Sequence, residues 1–402
     1  MKFTKLCCLL LSVLILTPVL AFAVDSDGDG LDSSVEASLG SSDLHKDIFV
    51  EIDWFVVNGR SLKPRKGFTQ IVTAIFESAP VLNPDGEYGI RIHLVIDDAI
   101  KVDFDTLGYK HPNGAYNWDD FDVVKDLFFT PSRANTHHYA LFIADYGDEF
   151  GQPSGSSGIS RNGSRFTSGA SDFIVALGGD YWYNYPKKKQ YKWTQAGTFV
   201  HELGHNLGLK HGGGNHSNFK PNLLSLLNYS FQVDGIPYTA FDGTRYLIFD
   251  YSRQKLPTLN ENSLNEFAGL GNAASDSSGG VYGTTWYSWN GSGYDEITTF
   301  NATSNVNWDN NGFYSSSVFE DTNQDGDYSK LKGKNQWSKL AFKGGLIGSS
   351  VSAKTALPRE TSLDCLTFRE HAARKKSDNS DIPRVTMKEL REKLKSRSEY
   401  SR

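Results

Sequence analysis

Sulfur is scarce in this chain: three cysteines and two methionines in 402 residues. Cys7 and Cys8 lie in an apolar N-terminal run, which leaves Cys365 alone downstream. That excludes an internal disulfide framework, although an exported chain would meet conditions that permit one. Positive charge is not in excess either. Lys and Arg number 41 against 47 Asp and Glu, a net −6, which argues against a nucleic-acid partner. Internal repeats and long low-complexity segments are absent. What remains, 39% hydrophobic and 22% charged residues, is the composition of a globular protein with room for one large domain or two to three smaller ones.

The N-terminus reads as an export signal over residues 1–23: a basic start (Met1-Lys2-Phe3-Thr4-Lys5), an apolar run from Leu6 to Leu16, and Ala21-Phe22-Ala23 as the cleavage site. The run is short and broken by Thr17-Pro18, so a stable membrane anchor is not expected, and no cysteine stands at the cleavage point for lipid attachment. A secreted or extracytoplasmic protein follows. Residues 24–45 begin with Asp25, Asp27, Asp29 and Gly30, closed by Glu36. These offer oxygens at alternate positions, a sharp turn and a final carboxylate, the pattern of a twelve-position calcium loop. A similar start at Asp321-Thr322-Asn323-Gln324-Asp325-Gly326-Asp327 has Lys332 where the closing carboxylate belongs. It reads as an Asx-rich turn or as half of an oxygen site completed by Asp309-Asn310-Asn311-Gly312.

The chain is organised around His201-Glu202-Leu203-Gly204-His205-Asn206-Leu207-Gly208-Leu209-Lys210-His211. On a helix, His201 and His205 are one turn apart on one face, placed to grip one Zn²⁺. Glu202 can reach a zinc-bound water without being a ligand. A third ligand requires the chain to turn; Gly208 can adopt positive φ, and His211 then comes back to the metal. Three protein ligands leave a fourth position open, as in a catalytic site. His216 is a rival third ligand, but its spacing from Gly208 is wrong. Ala196, Thr198, Phe199 and Val200 run into the motif without proline, and Thr194 is the expected N-cap.

The HExxHxxGxxH segment resembles the metzincin metalloproteases, in which it carries the zinc and the general base. The resemblance implies a methionine turn beneath the zinc. Ser225-Leu226-Leu227-Asn228-Tyr229 is its candidate, with Leu227 in the methionine's place; Met1 and Met387 are not credible substitutes. Leucine of similar volume should cost little there. Tyr229 matches the tyrosine that in some of these families ligates the metal or donates to the transition state, with an ordinary core tyrosine as the other reading.

The rest of the chain reads as α+β. Strands are expected at Asp47–Phe55, Ile90–Ile96, Tyr139–Ala144 and Asp172–Gly179, and helices at Phe68–Phe76 and Asp119–Phe129. A Gly/Ser-rich loop spans Gly151–Ser171. That order resembles the upper metzincin subdomain, a mixed twisted sheet with two main helices. The resemblance makes the last strand before the zinc helix, Phe173, Ile174, Val175, Ala176, Leu177 and Gly178, a candidate edge for substrate pairing; a buried strand is the alternative. After His211 periodicity fades, as in an irregular lower subdomain, with a short helix expected at the capping box Ser263-Leu264-Asn265-Glu266 and ended by Gly269. The protease domain is assigned to 46–345, its upper part ending near residue 211, and a polar, basic, solvated tail to 346–402, with a short charged helix around Thr386–Ser396. Cys365 reads as an inert or intermolecular thiol, with a latency role on the zinc or a C-terminal pro-segment around it left open.

The expectation is a secreted zinc endopeptidase acting on proteins or peptides. Zinc held by His201, His205 and His211 would activate water, with Glu202 as general base, Tyr229 assisting, and calcium structural at Asp25, Asp27, Asp29 and Glu36. Two alternatives are a zinc-binding adhesin or matrix-binding protein on a vestigial protease core, and a hydrolase of non-peptide bonds.

Overall fold

A computed structural model describes residues 24–161, 171–184, 190–342, 363–373, 379 and 381–400. The expected export signal over 1–23 lies outside them, as does the basic triplet Arg374-Lys375-Lys376. Among the described residues no helix is long and apolar enough to cross a membrane.

The chain is mixed α+β with several sheets. Its first half contains α1 (Ser33–Leu39), β1 (Asp47–Val57), β2 (Arg60–Ser61), α2 (Phe68–Glu77), β3 (Arg91–Val102) and β4 (Thr106–Leu107). Then come α3 (Asp119–Phe128), β5 (His137–Phe142), β6 (Asp145–Tyr146), β7 (Gly158–Ser160), β8 (Asp172–Val175), α4 (Asp180–Asn184) and α5 (Tyr191–Asn206). The main sheet runs β3-β1-β5-β8-β7, parallel except at β7, with β2 paired antiparallel to the end of β1. A further short strand, Leu363–Asp364, adds antiparallel to β7.

Alternation along the strands builds two cores. Ile48, Val50, Ile52 and Trp54 of β1, Ala140 and Phe142 of β5, and Phe173 and Val175 of β8 face α2 and α5. The helices answer with Phe68, Ile71, Val72, Ile75 and Phe76, and with Ala196, Phe199, Val200, Leu203 and Leu207. The opposite face packs Phe55, Val57, Tyr139, Leu141 and Ile174 against Phe121 of α3. Two acids on β1 are fully buried and satisfied. Glu51 pairs with Arg133 at 2.7 Å, and Asp53 accepts from Tyr139 Oη and the Asp98 amide, both at 2.8 Å.

The second half has its own core. It lies around a four-stranded sheet in which β9 (Ile236–Thr239) and β10 (Arg245–Phe249) are flanked by Val281–Tyr282 and Arg384–Thr386. Three local expectations change here. The helix that carries His201 and His205 begins at Tyr191, so Thr194 is a buried interior residue and not its cap. Residues 263–266 do not start a helix; the chain turns there, and the buried Glu266 carboxylate accepts the Ser315 amide at 2.8 Å instead of capping its own segment. The C-terminal stretch is not a solvated tail. Arg384–Thr386 pairs parallel with β10, and the following helix, Met387–Tyr400, buries Met387, Leu390 and Leu394 in the second core. The loop at Asp321 closes on itself, with Asp321 accepting from the Asp325 and Gly326 amides and from Tyr294 Oη.

His137, at the start of β5, is buried against Phe49; burial first, then the charges of Arg133, His138 and His93, push it down to about 4. A histidine depressed in the folded state contributes stability above its unfolded pKa, near 6.5, and loses it as pH falls through the folded value. The denaturation midpoint should therefore fall between about pH 6.5 and 4. In His137→Gln that slope should shrink, as measured by denaturant titration across the window.

Candidate metal centre and cleft

Helix α5 delivers two imidazoles from one face. The chain leaves it at Leu207, and Gly208 takes φ +84°, the left-handed turn that brings His211 back. The three Nε2 atoms converge: His201 to His205 at 3.1 Å, His201 to His211 at 3.2 Å, and His205 to His211 at 2.9 Å. Ligand nitrogens about 2.0–2.1 Å from a tetrahedral ion would stand about 3.3 Å apart, so the triangle is of the right size for one cation. The opposite ring nitrogens are fixed by backbone. His201 Nδ1 lies 2.7 Å from Leu226 O and His205 Nδ1 2.9 Å from Leu209 O. A carbonyl only accepts, so each Nδ1 carries the hydrogen and each Nε2 presents a lone pair inward. Burial pushes His201 and His211 well below the ordinary imidazole value and His205 down to about 4. Neutral rings with inward lone pairs repel one another unless a cation sits between them.

Ser225–Tyr229 forms the floor. Leu226 supplies the carbonyl on His201, and Leu227 is fully buried beneath helix α5. A Cβ on Gly204 would stand 2.8 Å from Leu227 Cδ2, so helix and turn touch only because residue 204 has no side chain. The Tyr229 ring lies 4.6 Å from that of His211 and 5.7 Å from that of His201, beside the triangle. His216 is exposed, with its ring 6.4 Å from His211, outside the group. Glu202 is fully buried, and its Oε1 would meet a Cβ at Gly158 at 2.4 Å. Strand β7 thus passes directly over the carboxylate, and glycine is what permits it.

Phe173–Gly178 is not a sheet edge. Its strand, β8, lies between β5 and β7; all six residues are buried, and the Ala176 and Gly178 amides are taken by Ser157 O and Ile143 O. The edge on this side is β7, and the position beside it is filled by residues 363–368 of the same chain. Cys365, far from the motif in sequence, is buried there, with Sγ donating to Glu202 Oε1 at 2.6 Å. His201, His205, His211 and Cys365 form one group that could hold a metal ion, ligand atoms all within 4.8 Å of one another. Spacing gives no hint of this fourth member; only the pairing of strand Leu363–Asp364 with β7 brings it in.

A second cluster lies at the N-terminal end. Asp25, Asp27 and Asp29 form one potential cation group, and Asp29, Glu36 and Asp47 another. Asp47 opens β1 and was read from the sequence only as a strand residue. Asp25 accepts the Gly28 and Gly30 amides and shapes the loop, with Gly30 at φ +97°. Four buried carboxylate oxygens, Asp27 Oδ2, Glu36 Oε1 and Oε2 and Asp47 Oδ2, have no hydrogen-bond partner. Burial and mutual repulsion push Asp29 up to about 7 and Glu36 up to about 8. Oxygen donors alone, gathered and uncompensated, fit a hard divalent cation.

Comparison with known protein families, curated sequences and solved structures found no match.

Two outcomes follow. Leu227→Met conserves volume and should change unfolding free energy by less than about 1.5 kcal/mol, read from denaturation midpoints. Above about pH 8, where the Glu36 carboxylate is ionised, Glu36→Gln should raise the melting temperature in chelator, because it removes one buried charge from the cluster, and should abolish the rise that calcium gives the unaltered chain. Differential scanning fluorimetry in both conditions reads both signs.

Proposed function

We propose that this chain is a zinc-dependent endopeptidase of metzincin type, exported from the cytoplasm, with calcium as a structural ion at the N-terminal cluster. The observation that carries it is the inward triangle of His201, His205 and His211 Nε2 atoms beside a buried carboxylate, under the antiparallel edge strand of the sheet. Two further features support the reading: imidazoles held neutral by burial suit zinc, and a strand edge above the site suits an extended peptide. When bound, zinc supplies Lewis acidity to a carbonyl and to water. Glu202 takes a proton from the attacking water and returns it to the leaving amine, held in place by the α5 backbone and the close pass of Gly158. Leu226 and Leu209 carbonyls hold two rings in the tautomer that faces the ion. Tyr229, whose ring lies 4.6 Å from that of His211, would donate to the developing oxyanion.

Cleavage of denatured casein tests this, measured with zinc content on the unaltered chain and on Cys365→Ser, since the thiol lies inside the site. Chelator should abolish cleavage, and Glu202→Ala, made in the more active background, should lower it by at least about 10²-fold with zinc still bound. Stoichiometric zinc with no cleavage by either background would overturn the endopeptidase reading, and a chain that binds no zinc would overturn the metal assignment.

A further inference from the structure

Residues 363–367 lie along β7 as an added strand would, and Phe368–Ala373 follows as a short helix. Leu363 pairs with Ser160 and Asp364 with Ile159, antiparallel, and Thr367 bridges Ser156 in the same register. That register sets Cys365 opposite Gly158, the residue that passes over Glu202. The backbone is bonded throughout: Ser157 N donates to Leu366 O at 3.0 Å and Phe368 N to Gly155 O at 2.8 Å, while Ser156 Oγ donates to Cys365 O at 3.2 Å. Beyond the site, Phe368 stacks on Tyr181 at 4.8 Å and meets Trp182 edge-on at 5.5 Å; the ring of His371 lies 5.6 Å from Trp182, and its Nε2 3.2 Å from Asp234. Cys365, Leu366 and His371 are each at most 2% exposed. This is a built contact, with backbone pairing before the thiol and seated side chains after it.

We infer that residues 363–371 are an intramolecular inhibitor of the metal site, with Cys365 as the fourth ligand and the flanking strand occupying the edge on which an extended peptide would pair. The inference rests on the zinc-site reading above and adds its regulation. Sγ belongs to the same ligand group as the three imidazoles and already donates to Glu202 Oε1. On ligation the S–H bond breaks, a sulfur–metal bond forms, and the proton passes to the Glu202 carboxylate. One residue thus fills the open coordination position and engages the general base together. Thiolate is a soft donor that suits zinc and its spectroscopic substitute cobalt, so the closed state is stable until the strand is displaced.

The test uses the full chain loaded with Co²⁺, together with Cys365→Ser and the double variant Cys365→Ser/Phe368→Ala, which leave the core-forming residues 384–400 in place. The unaltered chain should show a near-ultraviolet thiolate-to-cobalt charge-transfer band that both variants lack. Its single thiol outside the export signal should react with a disulfide reagent at least about tenfold more slowly with metal than without. Zinc-loaded variants should cleave casein at least about tenfold faster than the unaltered chain, the double variant fastest. A cobalt-loaded chain with no thiolate band overturns the inference and leaves the endopeptidase reading standing if casein is cleaved. A band with no cleavage by any variant upholds the ligation and sinks the endopeptidase reading instead. Equal cleavage by all three chains, band or no band, overturns the inhibitory role.

Discussion

Three buried imidazoles with their lone pairs turned toward one point are the constraint on which the molecule depends. Each is held neutral by burial, and two are locked by backbone carbonyls from Leu226 and Leu209. Such an arrangement is electrostatically unfavourable alone and favourable around a cation, so the surrounding structure has to enforce it. The enforcement is visible in where side chains are missing. A Cβ at Gly197 would stand 2.1 Å from Gln232 O, one at Gly204 would strike Leu227 and Tyr251, and one at Gly158 would strike Glu202. Helix, floor turn and edge strand meet at contact distance through these three glycines. The site's precision therefore comes from backbone approach, with Tyr251 Oη donating to Val200 O at 2.5 Å to hold the helix down.

Leucine at position 227 fits this picture. A residue under the histidines contributes volume and contact, not coordination, and Leu227 is fully enclosed by helix and turn. The ligand-directed work of the turn is done by a carbonyl, which any residue at 226 would provide. A leucine side chain at 227 thus leaves intact the feature that orients His201.

Much of the fold was legible because its signals are local. The β-branched and aromatic content of Asp47–Phe55 and the stripe of Phe68–Phe76 fall within one or two residues of β1 and α2, and the positive φ of Gly208 follows from the need to turn toward His211. What escaped was non-local. Nothing in Phe173–Gly178 tells whether a strand is flanked on one side or two, since a parallel interior strand and an edge next to a cleft are equally apolar. The capping-box letters at Ser263–Glu266 were present, but Glu266 is drawn into bonds with Asp309 and Ser315 nearly fifty residues away. Asp47 looked like the first residue of a strand, and its meeting with Asp29 and Glu36 depends on how the N-terminal loop docks. The C-terminal stretch misled by composition: its charges are real, but Met387, Leu390 and Leu394 recur at helical spacing and bury a stripe in the second core.

The same long-range closure explains why the C-terminal stretch is divided in function. Arg384–Thr386 and the helix after it complete a sheet and a core, so removing them would expose the edge of β10 and the apolar residues of the second core. Residues 363–371 complete no core of comparable size. Their contacts are a strand pairing, one thiol in a ligand group, two aromatic seats and Leu366, which joins the first core with Phe368 packed against it. Segments of that kind sit at the low end of a protein's local stability and can leave without unfolding the remainder. The architecture thus separates a structural clasp, which must persist, from a strand over the metal site, whose hold depends largely on the bond that the metal itself would form with Cys365. On the proposed reading, anything that weakens that bond would open the site and withdraw only Leu366 from the first core, while Arg384–Thr386 and its helix keep the second core closed.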